Sequence, residues 1–378
     1  MPGFPKPLAG KRVIDLSLLY PGPATAATLR TFGAEVTKIE PPAGDPTERL
    51  FPDTYRSLNR GKSILRLDLK SEEGRDALAE MVAGADVLVE SFRPGVLARL
   101  GIGADWLHAI RPSLVIVSIS GYGATGPYSH HPAHDLTVLG LGGYFGLPSQ
   151  LEPQVVRPNI RLADALTVNA ASLAALAAIV EADRTGEGQI VDTSIFDATA
   201  AASLTMSLSK RQPDTTPASQ PQVMADSALY SCRDGRFVAI ATLEDHLWAE
   251  FVSLATGEDH PLRAETYATR RGRDADKPEL ARLLAELFAT RDREDWILVF
   301  ASGRAPVVPV WQGSEALEDP HLAARGAVAR WTDDRGSFGF PTFPAVFNGC
   351  REDGEALSTE PAERGDVLKR EMASGSTG

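Results

Sequence analysis

Three of the chain's seven histidines, His130, His131 and His134, fall in the segment HHPAHDLTVLG, and Asp135 stands beside the third. An imidazole next to a carboxylate can bind a metal, move a proton or cap a helix. Pro132 interrupts the segment, so no helix aligns His131 with His134 for a metal ion. No HxH, HExxH or Cys/His cluster elsewhere completes a ligand set, and no metal site is expected. On residue type alone, Asp135 reads as the N-cap of the apolar run LTVLGLGGYFG that follows it. Asp164, in IRLADALTV, precedes a strongly apolar helix and is either a cap or a functional carboxylate. Glu244, in IATLEDHLW, lies where a first-turn acid suits the helix dipole. Gly140, Gly142 and Gly146 lack the spacing of a dinucleotide fingerprint, and no strand precedes them.

A second group of residues carries charge. Lys38, Lys70, Arg93 and Arg99 fall near the ends of expected strands. Ligands of open α/β sheets bind beyond the carboxyl ends of strands. Such a cluster can hold phosphates, although spacing alone fits solvated side chains as well.

The elements that must position these residues follow from periodicity. RVIDL (12–16), EVTKI (35–39), SILRLDL (63–69), DVLVES (86–91) and SLVIVSIS (113–120) read as strands. PGPATAATLRTFGA and EEGRDALAEMVAGA (72–85) read as helices between them. The alternation predicts βαβ units and a parallel sheet. A long Ala/Leu-rich helix between Asp164 and Asp183 is apolar nearly all round, and is expected in a large core or a subunit interface. GEGQIVDTSIFDATAAAS (186–203) adds one more strand and helix. SALYSCRDGRFVAIAT (227–242) is a hairpin around Asp-Gly. Helical patterns at 245–256, 278–290 and 293–301 and a strand at 306–312 complete a smaller α+β unit.

The expected organisation is therefore a large domain over 1–200, completed by 330–378, a linker over 201–226, a small domain over 227–312 and a returning linker over 313–329. With 378 residues, two domains are the natural division. A net charge of -12 argues against a general binder of nucleic acid or anionic membrane. No uninterrupted run of about 18 apolar residues suggests a membrane span. Two distant cysteines, Cys232 and Cys350, form no framework, and a reducing cytoplasm is the expected compartment.

Together, LAGKRVIDLSLLYPGPATAATLRTFGAEVTKIEPPAGDP, LNRGKSILRLDLKSEEG, ADVLVESFRPGVLARLG, SISGYGATGPY, the AHD step, RTGEGQIVDTSIFDA and CRDGRFVAIA resemble the class III CoA-transferase (CaiB/BaiF) family. The resemblance covers nearly the whole chain and comes closest to its α-methylacyl-CoA racemase branch. It implies a Rossmann-like large domain, a small α+β domain and an interlocked homodimer, with the active site between the large domain of one subunit and the small domain of the other. CoA, as part of an acyl-CoA substrate and with no other cofactor, is then expected on Leu19, Tyr20, Lys38, Leu67, Lys70, Phe92, Arg93 and Arg99. Lys70 and Arg99 suit its phosphates best.

The two branches imply different chemistry. A racemase of this kind uses a histidine and an aspartate on opposite faces of the α-carbon, matched by His134 and Asp164. A small-domain glutamate, matched by Glu244, supports the histidine, and Asp135 stays ionised near the thioester. A transferase uses the aspartate matched by Asp164 as nucleophile. A histidine before the motif aspartate, the chain length and IATLEDHLW favour the racemase. Ala163 before the aspartate, the ADALT pattern, Ala133 and Val138 depart from it. The expectation is an acyl-CoA racemase or epimerase, with a CoA-transferase second and a non-catalytic CoA-binding scaffold third.

Overall fold

Six apolar runs pair side by side into one parallel sheet. They are β1 (Arg12–Asp15), β2 (Glu35–Glu40), β3 (Ser63–Arg66), β4 (Val87–Glu90), β5 (Val115–Ser120) and β6 (Ile190–Ser194). Their order is β3-β2-β1-β4-β5-β6, and every pairing is parallel. Alternate side chains enter opposite cores. Val13, Val87, Val89, Val115 and Val117 share one, while Ile14, Leu88 and Ile116 share the other. Burial on both faces explains why the inner strands β4 and β5 run continuously apolar at Val87–Val89 and Val115–Val117, whereas the edge strand β6 alternates exposed and part-buried residues.

The computed structural model describes residues 3–146, 158–208, 224–333 and 336–352. Helices α1 (Pro21–Thr31), α2 (Pro46–Leu50), α3 (Pro52–Asn59), α4 (Glu72–Val82), α5 (Val96–Arg99), α6 (Ala104–Ile110), α7 (Asp135–Leu141), α8 (Leu162–Thr185) and α9 (Ile195–Leu208) accompany the sheet. Pro21 opens α1, where its missing N–H costs nothing. Ser71 caps α4 by accepting from the Gly74 N–H at 3.0 Å. Gly22 lets α1 start against the end of β1, since a Cβ there would lie 2.2 Å from Ser17 Cβ.

Helix α8 is long and apolar enough to cross a membrane by length and composition alone. Its Ala171, Ala175, Ala178, Ile179 and Ala182 pack into the sheet core, and small side chains allow that close approach. Leu173 and Val180, on its other side, are 71% and 69% exposed, so the helix is one-sided rather than buried all round.

The second unit holds a three-stranded antiparallel sheet of β7 (Leu229–Ser231), β8 (Phe237–Ile240) and β9 (Val307–Pro309). Helices α10 (Asp245–Ala255), α11 (Arg270–Ala275), α12 (Lys277–Phe288) and α13 (Arg293–Val299) go with it. Its core is aromatic, with Phe251 and Phe300 stacked at 5.6 Å and Trp296 donating to the Phe288 carbonyl at 2.9 Å. Contacts divide the described chain into residues 3–144, 158–208 and 323–352 on one side and 145–146 with 224–322 on the other.

Two expected boundaries move. The linker expected from residue 201 begins inside α9, because the Ala/Ser/Leu run to Leu208 is compatible with a helix. The returning linker expected from residue 313 begins as a 3₁₀ turn, Gly313–Glu318, of the second unit. Glu315 anchors it there with two 3.0 Å bonds from the buried Arg293 guanidinium. Further on, β10 (Val328–Asp333) and β11 (Gly336–Pro341) pair as an antiparallel hairpin in the first unit.

Charges are buried beneath the strand ends of the first unit. Lys62 donates to Asp15 Oδ2 at 2.8 Å, the Pro23 carbonyl at 2.8 Å and Asn59 Oδ1 at 3.0 Å, and is fully enclosed. Burial works against the Asp15 charge, but Lys62 and Lys38 outweigh it and hold its carboxyl below the ordinary range. Lys38 is also fully enclosed, donating to the Ser17 carbonyl at 2.6 Å and lying 3.1 Å from Asp45. Breaking a buried pair from one side leaves an uncompensated charge. Lys62→Met is therefore expected to cost about 3–5 kcal/mol in denaturant unfolding. Asp15→Asn added to it is expected to recover part of that loss.

Candidate active site

The strand order places a switch between β1 and β4, where consecutive connections run away from each other. Crevices at such points, beyond the carboxyl ends of the strands, are where open α/β sheets take ligands. A cavity of about 760 Å³ lies there. Its walls come from the segments after β1 (18–21), after β4 (91–94) and at the end of β5 (119–121), from Phe51, Ser129 and residues 131–136, and from residues 158–161, Asp164 and Ile195. All belong to the first unit.

The turn after β1 is held from below. Asp45 Oδ1 accepts from Thr47 N at 2.9 Å and from Leu19 N at 3.5 Å, while Lys38 grips the Ser17 carbonyl. Leu19 sits at φ 69°, a left-handed conformation that costs a non-glycine residue about 1–2 kcal/mol. The buried network over-determines this turn and lets it persist. A second close approach brings in the histidine segment: a Cβ on Gly121 would lie 2.2 Å from the Cβ of Ala133. Glycine at the end of β5 is what lets residues 131–135 close over the strand.

Asp135 is the first residue of α7, not its cap; His134 holds the N-cap position. The Asp135 carboxylate instead reaches across to α8. Its Oδ1 accepts from Ala163 N at 2.8 Å and from Asp164 N at 3.2 Å. Helix α8 has no cap of its own, since the Arg161 side chain makes no capping bond. Asp135 thus supplies the missing acceptor from another helix, which sequence proximity could not show. Thr137 Oγ1 accepts from the His134 N–H at 3.0 Å and fixes the approach to α7.

Asp164 lies in the first turn of α8, 6% exposed, on the cavity wall. Burial first, and the nearby Asp135 charge second, push its carboxyl up to about 6, against the pull of Arg161. A carboxyl that titrates near neutrality can both take and return a proton. His134 is exposed and lines the same cavity.

The expected site residues separate into groups. Leu19, Tyr20, Phe92, Arg93, His134, Asp135 and Asp164 meet on the cavity. Lys70 and Arg99 are exposed on the first unit but outside the cavity lining. Leu67 is buried in the core beneath β3. Lys38 does not fit a phosphate contact: it is walled in between Ser17 and Asp45 with no face toward solvent. Glu244 is exposed at the start of α10 in the second unit. His131 also lines the cavity, with its ring edge-on to Tyr128 at 5.4 Å. Arg161 was not anticipated, although it stands three residues before Asp164 in the quoted IRLAD segment. Among the described residues, no three His, Cys, Asp or Glu side chains gather as a metal-ligand set.

A Rossmann-like sheet with a buried carboxylate at a helix start in the switch-point crevice defines an α/β protein with an enzyme-like cleft. The profile of CoA-transferase family III matches residues 8–362, and the chain belongs to that family. It is 32% identical to the acetyl-CoA:oxalate CoA-transferase of Acetobacter aceti, over 98% of this chain and 97% of that one. It is also 32% identical to the alpha-methylacyl-CoA racemase of Mus musculus, over 85% of this chain and 82% of that one. The crystal structure of a CAIB/BAIF family protein from Brucella suis superposes with a TM-score of 0.85 at 28% identity, covering 97% of this chain and all of that one. Relatives of similar identity are mostly named CoA-transferases.

The raised carboxyl makes a stability prediction. The folded protein holds the Asp164 proton up to about 6, against 3.8 for the free carboxyl. Ionising Asp164 therefore costs folding energy that is absent below pH 3.8 and fully present above 6. The positive end of α8 offsets part of it. Asp164→Asn is expected to stabilise the free protein by about 1–3 kcal/mol at pH 7–8. Denaturant unfolding across pH should show that gain vanish toward pH 4.

Proposed function

We propose that this chain inverts the α-carbon of an acyl-CoA thioester by proton transfer between His134 and Asp164. The observation that carries the reading is a second protonatable side chain on the cavity that holds Asp164. Nucleophilic transfer of CoA needs one carboxylate; inversion needs a group to take the proton and another to return it. The α-hydrogen leaves as a proton to one of the two residues. The C–H electron pair moves into the enolate, and the other residue delivers a proton to the same carbon from the opposite face. Thioester α-protons are far less acidic than either side chain, so the enolate oxygen must also be stabilised. The Asp164 carboxyl near 6 suits this exchange at neutral pH.

In this reading Leu19, Tyr20, Phe92 and Arg93 hold the CoA portion along the crevice, with Lys70 and Arg99 meeting its phosphates further out. Glu244 would steady the His134 imidazole, as a carboxylate fixes a tautomer elsewhere. An interlocked homodimer would bring the second unit of one subunit to the crevice of the other. The exposed Leu173 and Val180 of α8 support such an interface.

A second reading is favoured by the relatives, most of which are named CoA-transferases. There the Asp164 carboxylate attacks the thioester carbonyl, CoA leaves as thiolate, and a mixed anhydride forms. His134 would then only position the acyl group. Incubating one enantiomer of a 2-methylacyl-CoA in deuterated water and following the α-proton by NMR separates the two. The expected result is deuterium uptake with inversion, reduced at least ~100-fold in both His134→Ala and Asp164→Asn. No uptake, with CoA passed to an added carboxylic acid and insensitive to His134→Ala, would overturn the racemase reading in favour of the transferase.

A further inference from the structure

We infer that Arg161 is a specificity-determining residue that selects acyl groups bearing a second carboxylate. The inference rests on the acyl-CoA reading of the crevice, but not on which of the two reactions occurs there. Arg161 lines the cavity beside Asp164, and its side chain is 44% exposed. Its guanidinium carbon lies 5.1 Å from the centre of the Phe51 ring and 5.7 Å from that of Tyr20. Two aromatic rings hold the group in place electrostatically and accept no directed hydrogen bond from its N–H edge. Nη1 comes no closer than 4.0 Å to Asp164 Oδ2, beyond hydrogen-bond reach, and no other described acidic side chain pairs with it. The cavity therefore presents a positioned guanidinium with donors to spare, next to the residue that meets the reacting carbon.

The chemistry that completes such a group is a planar anion. A carboxylate accepts two parallel N–H bonds from an arginine fork, in a geometry that neither a hydroxyl nor an alkyl group can copy. An acyl chain lying between the thioester and Arg161 would place its far carboxylate on the guanidinium and its α-carbon near Asp164. An alkyl chain in the same place would leave the cation desolvated without a partner, which disfavours it. A bound carboxylate would also draw on the positive charge that now faces Asp164.

The test compares 2-methylsuccinyl-CoA with 2,4-dimethylpentanoyl-CoA, in which an isopropyl group replaces the far carboxylate. Binding to the full-length protein is read by calorimetry and needs no turnover. Wild type is expected to bind the carboxylate-bearing thioester ~10–100-fold more tightly. Arg161→Gln is expected to bring that ratio to about one, and Arg161→Lys to retain part of it. Equal binding of the two thioesters by wild type would overturn the inference and leave the acyl-CoA reading intact. An Arg161→Gln variant that weakens both thioesters and free CoA alike would overturn it in favour of a phosphate contact. Failure of wild type to bind either thioester or free CoA would overturn the acyl-CoA reading itself.

Discussion

One carboxylate oxygen holds the candidate site together. Oδ1 of Asp135, at the start of α7, accepts from the backbone amides of Ala163 and Asp164, at the start of α8. Two helix N-termini are thereby fixed to each other through a single acceptor. His134 immediately precedes the bridging residue, and Asp164 carries one of the bridged amides. Their meeting on one cavity follows from this link rather than from closeness in sequence. The same link has an electrostatic consequence: a charge placed to cap α8 also sits near the Asp164 carboxyl and adds to the burial that raises it. Structural support of α8 and tuning of the Asp164 carboxyl are one interaction.

The sheet beneath supplies the rigidity this arrangement needs. Its strand ends are floored by buried ion pairs, Lys62 with Asp15 and Lys38 with Asp45. These groups do not touch the cavity. They hold the Ser17 carbonyl and the Leu19 amide, and so maintain a left-handed turn on its wall. Gly121 has a matching role on the other side, where only a hydrogen fits against Ala133. The strained turn at Leu19 persists on the crevice wall because the buried network beneath it can support it.

The sequence was legible where a local rule decided the outcome. The runs RVIDL, DVLVES and SLVIVSIS, alternating with helical patterns, announced a parallel sheet because a helical crossover is what joins parallel neighbours. SALYSCRDGRFVAIAT announced a hairpin because Asp-Gly fits its turn. It was misleading where partners were distant. Asp135 has the residue type and position of a cap for α7, yet it caps a helix whose first amides lie 28 and 29 residues on. Lys38 stands near a strand end like a phosphate ligand, but its side chain turns into the core, where Asp45 awaits it. The Ala/Ser/Leu run after residue 200 looked like a linker because polar residues follow it, whereas its own composition continues α9 to Leu208. Arg161 went unnoticed because nothing in a sequence tells a solvated arginine from one held over two aromatic rings.

The central physical claim is that Asp135 both bridges the helices and raises the Asp164 carboxyl, and a carboxyl titration tests it directly. Protein labelled with ¹³C at aspartate carboxyls would be titrated by NMR, with Asp164→Asn identifying the resonance. A midpoint near 6 is expected, moving to lower pH in Asp135→Asn, which keeps an acceptor oxygen and removes the charge. An ordinary carboxylate midpoint near 4, unchanged by Asp135→Asn, would contradict the account.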